Sequence, residues 1–180
     1  CQLTLSLPDD APEGTEIRYT LDGKEPTKNS QKYTALLSFN STKIIRAKLF
    51  CDGYLSPRST CQSYIFFPTN RALTLPVVSI MTDNKYLNDT KIGIYVDGTY
   101  SSDKKHYEYD WRRPMNIELF ETSGKESVIN QLGEMRICGG ATRSAVRKSL
   151  AIYANKRFGE KRFNYEFFPD QKSLDRKSVV

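Results

Sequence analysis

Apolar and polar residues alternate through most of the first third of the chain. Leu3, Leu5 and Leu7 are separated by Thr4 and Ser6, which predicts a strand with one buried face. Pro8-Asp9-Asp10-Ala11-Pro12-Glu13-Gly14 is a turn cluster. Glu16 to Leu21 follows as a second strand, with Ile17, Tyr19 and Leu21 on one face. Asp22-Gly23 is a pair that tolerates positive φ. Ala35 to Phe39, Thr42 to Phe50 and Ser63 to Phe66 complete the set. About six short strands punctuated by regular turn signals predict a small β-sandwich.

Pro68-Thr69-Asn70-Arg71 reads as a linker, and the pattern changes beyond it. Leu75-Pro76-Val77-Val78-Ser79-Ile80-Met81 is a compact apolar strand. Asp83 or Asn84 can cap a short helix running to Asn88. Gly93-Ile94-Tyr95-Val96 is expected to be a short strand, and Asp97 to Asp110 a mobile polar loop. Met115 to Phe120, Gln131 to Cys138 and Lys148 to Ala154 are predicted strands, with a turn at Ser123-Gly124. The fold class is therefore mainly β: an N-terminal sandwich over residues 1–66, then a mostly β (α+β) partial domain over residues 67–180.

Several elements of the first part occur in the order of a known module. They are Leu3-Thr4-Leu5-Ser6, Ile17-Arg18-Tyr19-Thr20-Leu21-Asp22-Gly23 through Pro26-Thr27, Tyr33-Thr34, Ile45-Arg46-Ala47-Lys48-Leu49-Phe50 and Asp52-Gly53-Tyr54. On these residues the stretch resembles the chitobiase/β-hexosaminidase C-terminal domain family. The resemblance implies an immunoglobulin-like sandwich that accompanies extracytoplasmic bacterial enzymes, with Tyr33 and Tyr54 as core or corner residues. It carries no active site with it. The family's aromatic-rich segment before the first strand is missing, which suggests a natural protein extending further upstream.

The second part carries Leu75-Pro76-Val77-Val78-Ser79-Ile80, Gly93-Ile94-Tyr95, Trp111, Arg113-Pro114 and Ile117-Glu118-Leu119-Phe120. Gly133-Glu134-Met135-Arg136-Ile137-Cys138-Gly139-Gly140-Ala141-Thr142-Arg143 and Arg147-Lys148-Ser149-Leu150 follow. Over residues 73–170 this run resembles the front part of the CotH kinase-like family. The resemblance implies an atypical protein kinase as the parent, with ATP and magnesium as cofactors. The acidic residues of such a kinase would be expected downstream, so the chain is read as a fragment that does not transfer phosphate by itself.

The charge balance is 27 basic against 21 acidic residues, net +6, and much of the excess lies late, in Arg143, Arg147, Lys148, Lys156, Arg157, Lys161 and Arg162. Solvated faces and loops account for such a surplus, and an anionic ligand is the alternative. No helix-turn-helix, zinc-finger or RRM-like pattern supports nucleic acid as a partner. No apolar run is long enough for a transmembrane helix. Four cysteines without a Cys-x-x-Cys, and one isolated histidine, give no zinc spacing, so no metal site is expected. Cys51 and Cys61 flank a possible symmetric hairpin, where opposed positions would allow a disulfide; two free thiols are the alternative.

Two constellations can carry chemistry. Gly139 and Gly140 lie at a hairpin tip near Arg143, with Lys148 on the returning strand beside Leu150 and Ile152. Glycine amides can form an anion-binding nest, and basic side chains complete a phosphate site. A basic surface hairpin is the plainer reading. The family resemblance favours nucleotide binding, yet no His-Arg-Asp or Asp-Phe-Gly motif is present. The second constellation is Tyr100, Tyr107, Tyr109 and Trp111, in or beside the polar loop, where aromatic rings can stack on a surface glycan. Packing is the plainer role for Trp111. Pairs such as Glu108/Asp110 and Glu118/Glu121 are not distinguishable from surface acids and support no glycosidase. His106, among Lys104, Lys105 and Tyr107, is expected to be solvent-exposed and without a role.

Overall fold

The computed structural model describes residues 1–67, 74–122 and 126–167. The chain is mainly β and divides into two compact units, Cys1–Ala72 and Leu73–Val180. The linker at Pro68 to Arg71 and the turn at Ser123-Gly124 lie outside the described residues.

The first unit contains two antiparallel sheets. β1 (Gln2–Leu3) pairs with β4 (Leu37–Ser38). The larger sheet has the order β3-β2-β5-β6, built from β3 (Gln31–Lys32), β2 (Glu16–Thr20), β5 (Lys43–Phe50) and β6 (Thr60–Tyr64). Alternation places Ile17 and Tyr19 of β2, Ile45 of β5 and Cys61 of β6 in the core. The strand foreseen at Leu3 to Leu7 shortens to two residues, and Leu7 is exposed. Tyr33 is half-buried, edge-on to Tyr19 at 6.4 Å.

The turn after β2 is fixed by hydrogen bonds and ion pairs as well as by its geometry. The Gly23 amide donates to Ile44 O at 2.9 Å, and Thr20 Oγ1 donates to Lys24 O at 2.6 Å. Pro26 is fully buried. Glu25 reaches back to β5, where it pairs with Arg46 and with Lys48 Nζ at 2.9 Å, and accepts from Ser59 Oγ at 2.8 Å. Arg46 Nε also donates to Ser59 Oγ at 2.7 Å, so carboxylate, guanidinium and hydroxyl form one network.

The second unit is one sheet with the order β10-β9-β8-β7: β7 (Val77–Met81), β8 (Arg113–Phe120), β9 (Ser127–Cys138) and β10 (Ser149–Tyr153). Every pairing is antiparallel between strands consecutive in the chain. One face carries Met115, Ile117 and Leu119 of β8, Ile129, Met135 and Ile137 of β9, and Ile152 of β10. Ile94 and Phe163 close over it, with Leu87, Tyr95, Tyr107 and Trp111 packed at its margin. The other face also buries polar groups, Asn116, Glu118 and Glu134, so β8 is covered on both sides from Met115 to Phe120. α1 (Asn84–Asn88) forms where foreseen, although the Asp83 side chain makes no cap bond. Gly93 to Val96 is not a strand. Instead the Ile94 and Tyr95 amides donate to Tyr86 O and Leu87 O, each at 2.9 Å, tying the segment to α1.

Candidate functional site

The antiparallel order brings two connections to the same end of the second sheet. One runs from the end of β7 to the start of β8, the other from the end of β9 to the start of β10. Both groups of residues singled out by the sequence lie on these connections.

The first connection is organised by a residue that sequence reasoning set aside. His106 is completely buried rather than exposed. Its Nε2 accepts the Tyr100 amide at 3.2 Å, which places the ring proton on Nδ1 for donation to Gly93 O at 2.8 Å. Its own amide donates to Asp97 O at 2.9 Å. Gly98, at φ +72, lies so close that a Cβ there would meet the imidazole at 2.0 Å. The segment expected to be a mobile loop is thus wrapped round a buried ring. No pattern of apolar residues could show this, because the histidine is held by backbone groups.

Three of the four aromatic candidates meet on this loop. Tyr109 stacks on Trp111 with centroids 4.9 Å apart and planes 15° apart. Tyr100 stands edge-on to both, at 5.5 and 4.9 Å. His106 supports Trp111 from below at 4.9 Å, and the Arg113 guanidinium lies 5.0 Å from the indole. Tyr100 is 66% exposed, whereas Tyr109 and Trp111 are half-buried. Tyr107 does not join them; it packs against the core.

Tyr107 belongs with the other constellation. Lys148 lies just before β10, not within it, and its ammonium sits 4.0 Å from the Tyr107 ring centroid and 5.4 Å from that of Tyr95. Lys148 Nζ donates to Arg143 O at 2.8 Å and Ala145 O at 2.9 Å. Between strands, residues Ala141–Ser144 form a 3-10 turn, entered through Gly139 at φ +108, a conformation natural to glycine. Arg143 Nε donates to Gly139 O at 2.6 Å, Nη1 to Glu108 O at 2.9 Å and Nη2 to Asp110 Oδ1 at 3.0 Å. Gly139, Gly140, Arg143 and Lys148 therefore form one cluster, and its basic groups are engaged by the chain's own oxygens and rings. The Asp110 carboxyl is held below its usual range by the Arg143 hydrogen bond and the Arg136 charge.

The acidic pair Glu118/Glu121 separates. Glu118 is buried within the sheet, while Glu121 accepts from Tyr165 Oη at 2.7 Å. Glu134, also buried, accepts from Asn155 and Arg157. Among the described residues no group of three or more His, Cys, Asp or Glu is placed to hold a metal, and no helix is long and apolar enough to cross a membrane.

In the first unit the proposed disulfide is corrected. β5 and β6 pair Arg46 with Cys61 and Ala47 with Thr60, so the hairpin is not centred between the cysteines. Cys51 lies five positions beyond Arg46, roughly 15 Å along the strand direction. That is too far for a disulfide between them, and none of the four cysteines is in a disulfide. Cys61 faces the core; Cys51 lines a cleft of about 210 Å³ with Pro8, Pro12, Leu49, Tyr54 and Leu55. Tyr54, expected in the core or a corner, is 65% exposed at this cleft.

No curated protein and no solved structure matches the chain. The resemblance of residues 73–170 to the CotH kinase-like family has no support from these comparisons. Residues 2–61, most of the first unit, match the family model of the chitobiase/beta-hexosaminidase C-terminal domain.

Proposed function

We propose that the chain is a non-catalytic glycan-binding piece of an extracytoplasmic bacterial protein, with the first unit as its accessory sandwich. The observation that carries this is the Tyr100, Tyr109 and Trp111 cluster on the loop wrapped round His106. Rings fixed before a ligand arrives lose little freedom on binding. Tyrosine and tryptophan offer wide rigid faces with a polar edge. Ser101, Ser102, Lys104 and Asp103 are exposed or half-buried on the same loop and provide hydrogen-bonding groups for sugar hydroxyls. The match of residues 2–61 to a carbohydrate-related module is consistent with this setting. The nucleotide reading of Gly139, Gly140, Arg143 and Lys148 is the weaker one, because the Lys148 ammonium already has two carbonyl acceptors and two aromatic rings.

Trp111 is the only tryptophan, so its fluorescence reports on the patch directly. Titration with oligosaccharides, chito-oligosaccharides among them, is expected to give a saturable change, and ATP with magnesium no change that Lys148→Ala abolishes. Tyr100→Ala should weaken glycan binding about ten-fold or more, as loss of an exposed anchor does. His106→Ala, which releases the Tyr100 amide, should weaken it too. A saturable response to ATP that disappears in Lys148→Ala, with none to any glycan, would overturn the reading in favour of the nucleotide site.

A further inference from the structure

Behind the aromatic patch, two arginines converge on a single carboxylate oxygen. Arg136 Nη1 lies 2.5 Å and Arg143 Nη2 3.0 Å from Asp110 Oδ1. Asp110 is 71% exposed, while the arginine side chains are 23% and 20% exposed. Each guanidinium has supports that do not involve Asp110. Arg136 Nε donates to Tyr153 Oη at 2.8 Å, and the Arg143 Nε and Nη1 groups donate to Gly139 O and Glu108 O. A third cation, the Arg112 guanidinium, lies 4.1 Å from the Tyr153 ring centroid. The two arginines are thus held in place from the protein side, and Arg136 Nη1, which also reaches Ile137 O at 3.5 Å, meets Arg143 Nη2 at one exposed carboxylate oxygen.

Paired, preoriented guanidiniums with outward donors are the donor set that recognises carboxylate and phosphate oxygens. Like charges this close favour an anion between them. The anion present is the chain's own exposed side chain, from a residue whose departure would cost it little burial. We propose that Arg136 and Arg143 form an oxyanion-binding site, and that Asp110 is a built-in occupant which an external carboxylate or phosphate group displaces. An intramolecular competitor acts at a high effective concentration, so the intact site binds free anions weakly and opens to a ligand that makes further contacts nearby. The proposal uses the face toward the Gly139–Gly140 turn and needs no glycan bound at the rings, although Asp110 stands between Tyr109 and Trp111 in the chain.

The test is titration of the full chain with inorganic phosphate and, separately, with acetate at low ionic strength. Calorimetry gives affinity, and the Nε–H NMR signals of Arg136 and Arg143 give location. Asp110→Ala is expected to bind at least one of the two anions about ten-fold or more tighter than the unsubstituted chain. The signals of both arginines should move together, and the gain should vanish in Asp110→Ala combined with Arg143→Gln. Preference for phosphate assigns a phosphorylated ligand; preference for acetate assigns a carboxylate-bearing one. Asp110→Asn, neutral and of the same shape, provides the same comparison should the alanine variant fold poorly, and Asp110→Glu should stay weak. No gain in either neutral variant, or a gain that survives Arg143→Gln, would overturn the proposal.

Discussion

Replacing Glu25 by Gln leaves Arg46 and Lys48, with side chains only 14% and 20% exposed, without their shared carboxylate. Removing the charged partner of such half-buried cations costs about 1–3 kcal/mol. Denaturant unfolding should therefore show Glu25→Gln less stable by that order. The same residue sets a pH dependence. Burial pushes the Glu25 carboxyl up, but hydrogen bonds from Lys48 and Ser59 and the Arg46 charge outweigh it and hold the group below its ordinary value. A carboxyl depressed by folding contributes its stabilisation in full at neutral pH and loses it as the pH falls through the folded-state value. Acid titration of the first unit should accordingly show this contribution fading as the pH falls from the ordinary carboxylate value to the lower folded-state one, and Glu25→Gln should remove that part of the pH dependence. Residue identity alone suggested Asp22-Gly23 as the maker of this turn; the role of Glu25 needed the partners on β5 and Ser59 to be seen.

At the scale of elements, alternation located β2 and β8, and apolar content located β5 and β10, whereas β9 begins at Ser127, four residues before the predicted start at Gln131, where its polar residues hide the strand. Alternation says which side faces inward, not which residues stand opposite. That is why a symmetric β5–β6 hairpin with opposed cysteines stood open as one of two readings of Cys51 and Cys61. With Arg46 opposite Cys61, non-reducing denaturation of the freshly prepared chain should titrate four thiols, and Cys51→Ser should leave stability close to that of the parent. Recovery of only two thiols, with Cys51 and Cys61 linked in a peptide map, would contradict this register. The Asp97 to Asp110 segment was illegible for a different reason. Its order comes from a histidine bonded to Gly93 O and the Tyr100 amide, a pattern with no periodicity. The clustering of Tyr100, Tyr109 and Trp111 was suggested by proximity in sequence; the turning of Tyr107 toward Lys148 was not.

For the whole molecule, each unit has its own core: Ile17, Tyr19 and Ile45 in the first, and the face centred on Met135 and Ile137 in the second. Separate cores permit separate cooperative transitions. Calorimetry should resolve two, with Glu25→Gln lowering one and leaving the other in place. A single transition shifted as a whole by that substitution would show that the units unfold together. The likeness to known proteins follows the same division, since the family match lies wholly in the first unit.

In the second unit, neighbours in the sheet are neighbours in the chain, β7 through β10 in order. Such a meander can assemble by successive local hairpin closures, without waiting for distant segments. Its long β7–β8 connection adds little closure entropy, because that cost rises only slowly with loop length. That connection also carries Ile94 into the core and Leu87, Tyr95, Tyr107 and Trp111 to its margin, so the sheet and its longest connection form one packed unit, and substitutions at this end are tolerated only where they leave those side chains in place.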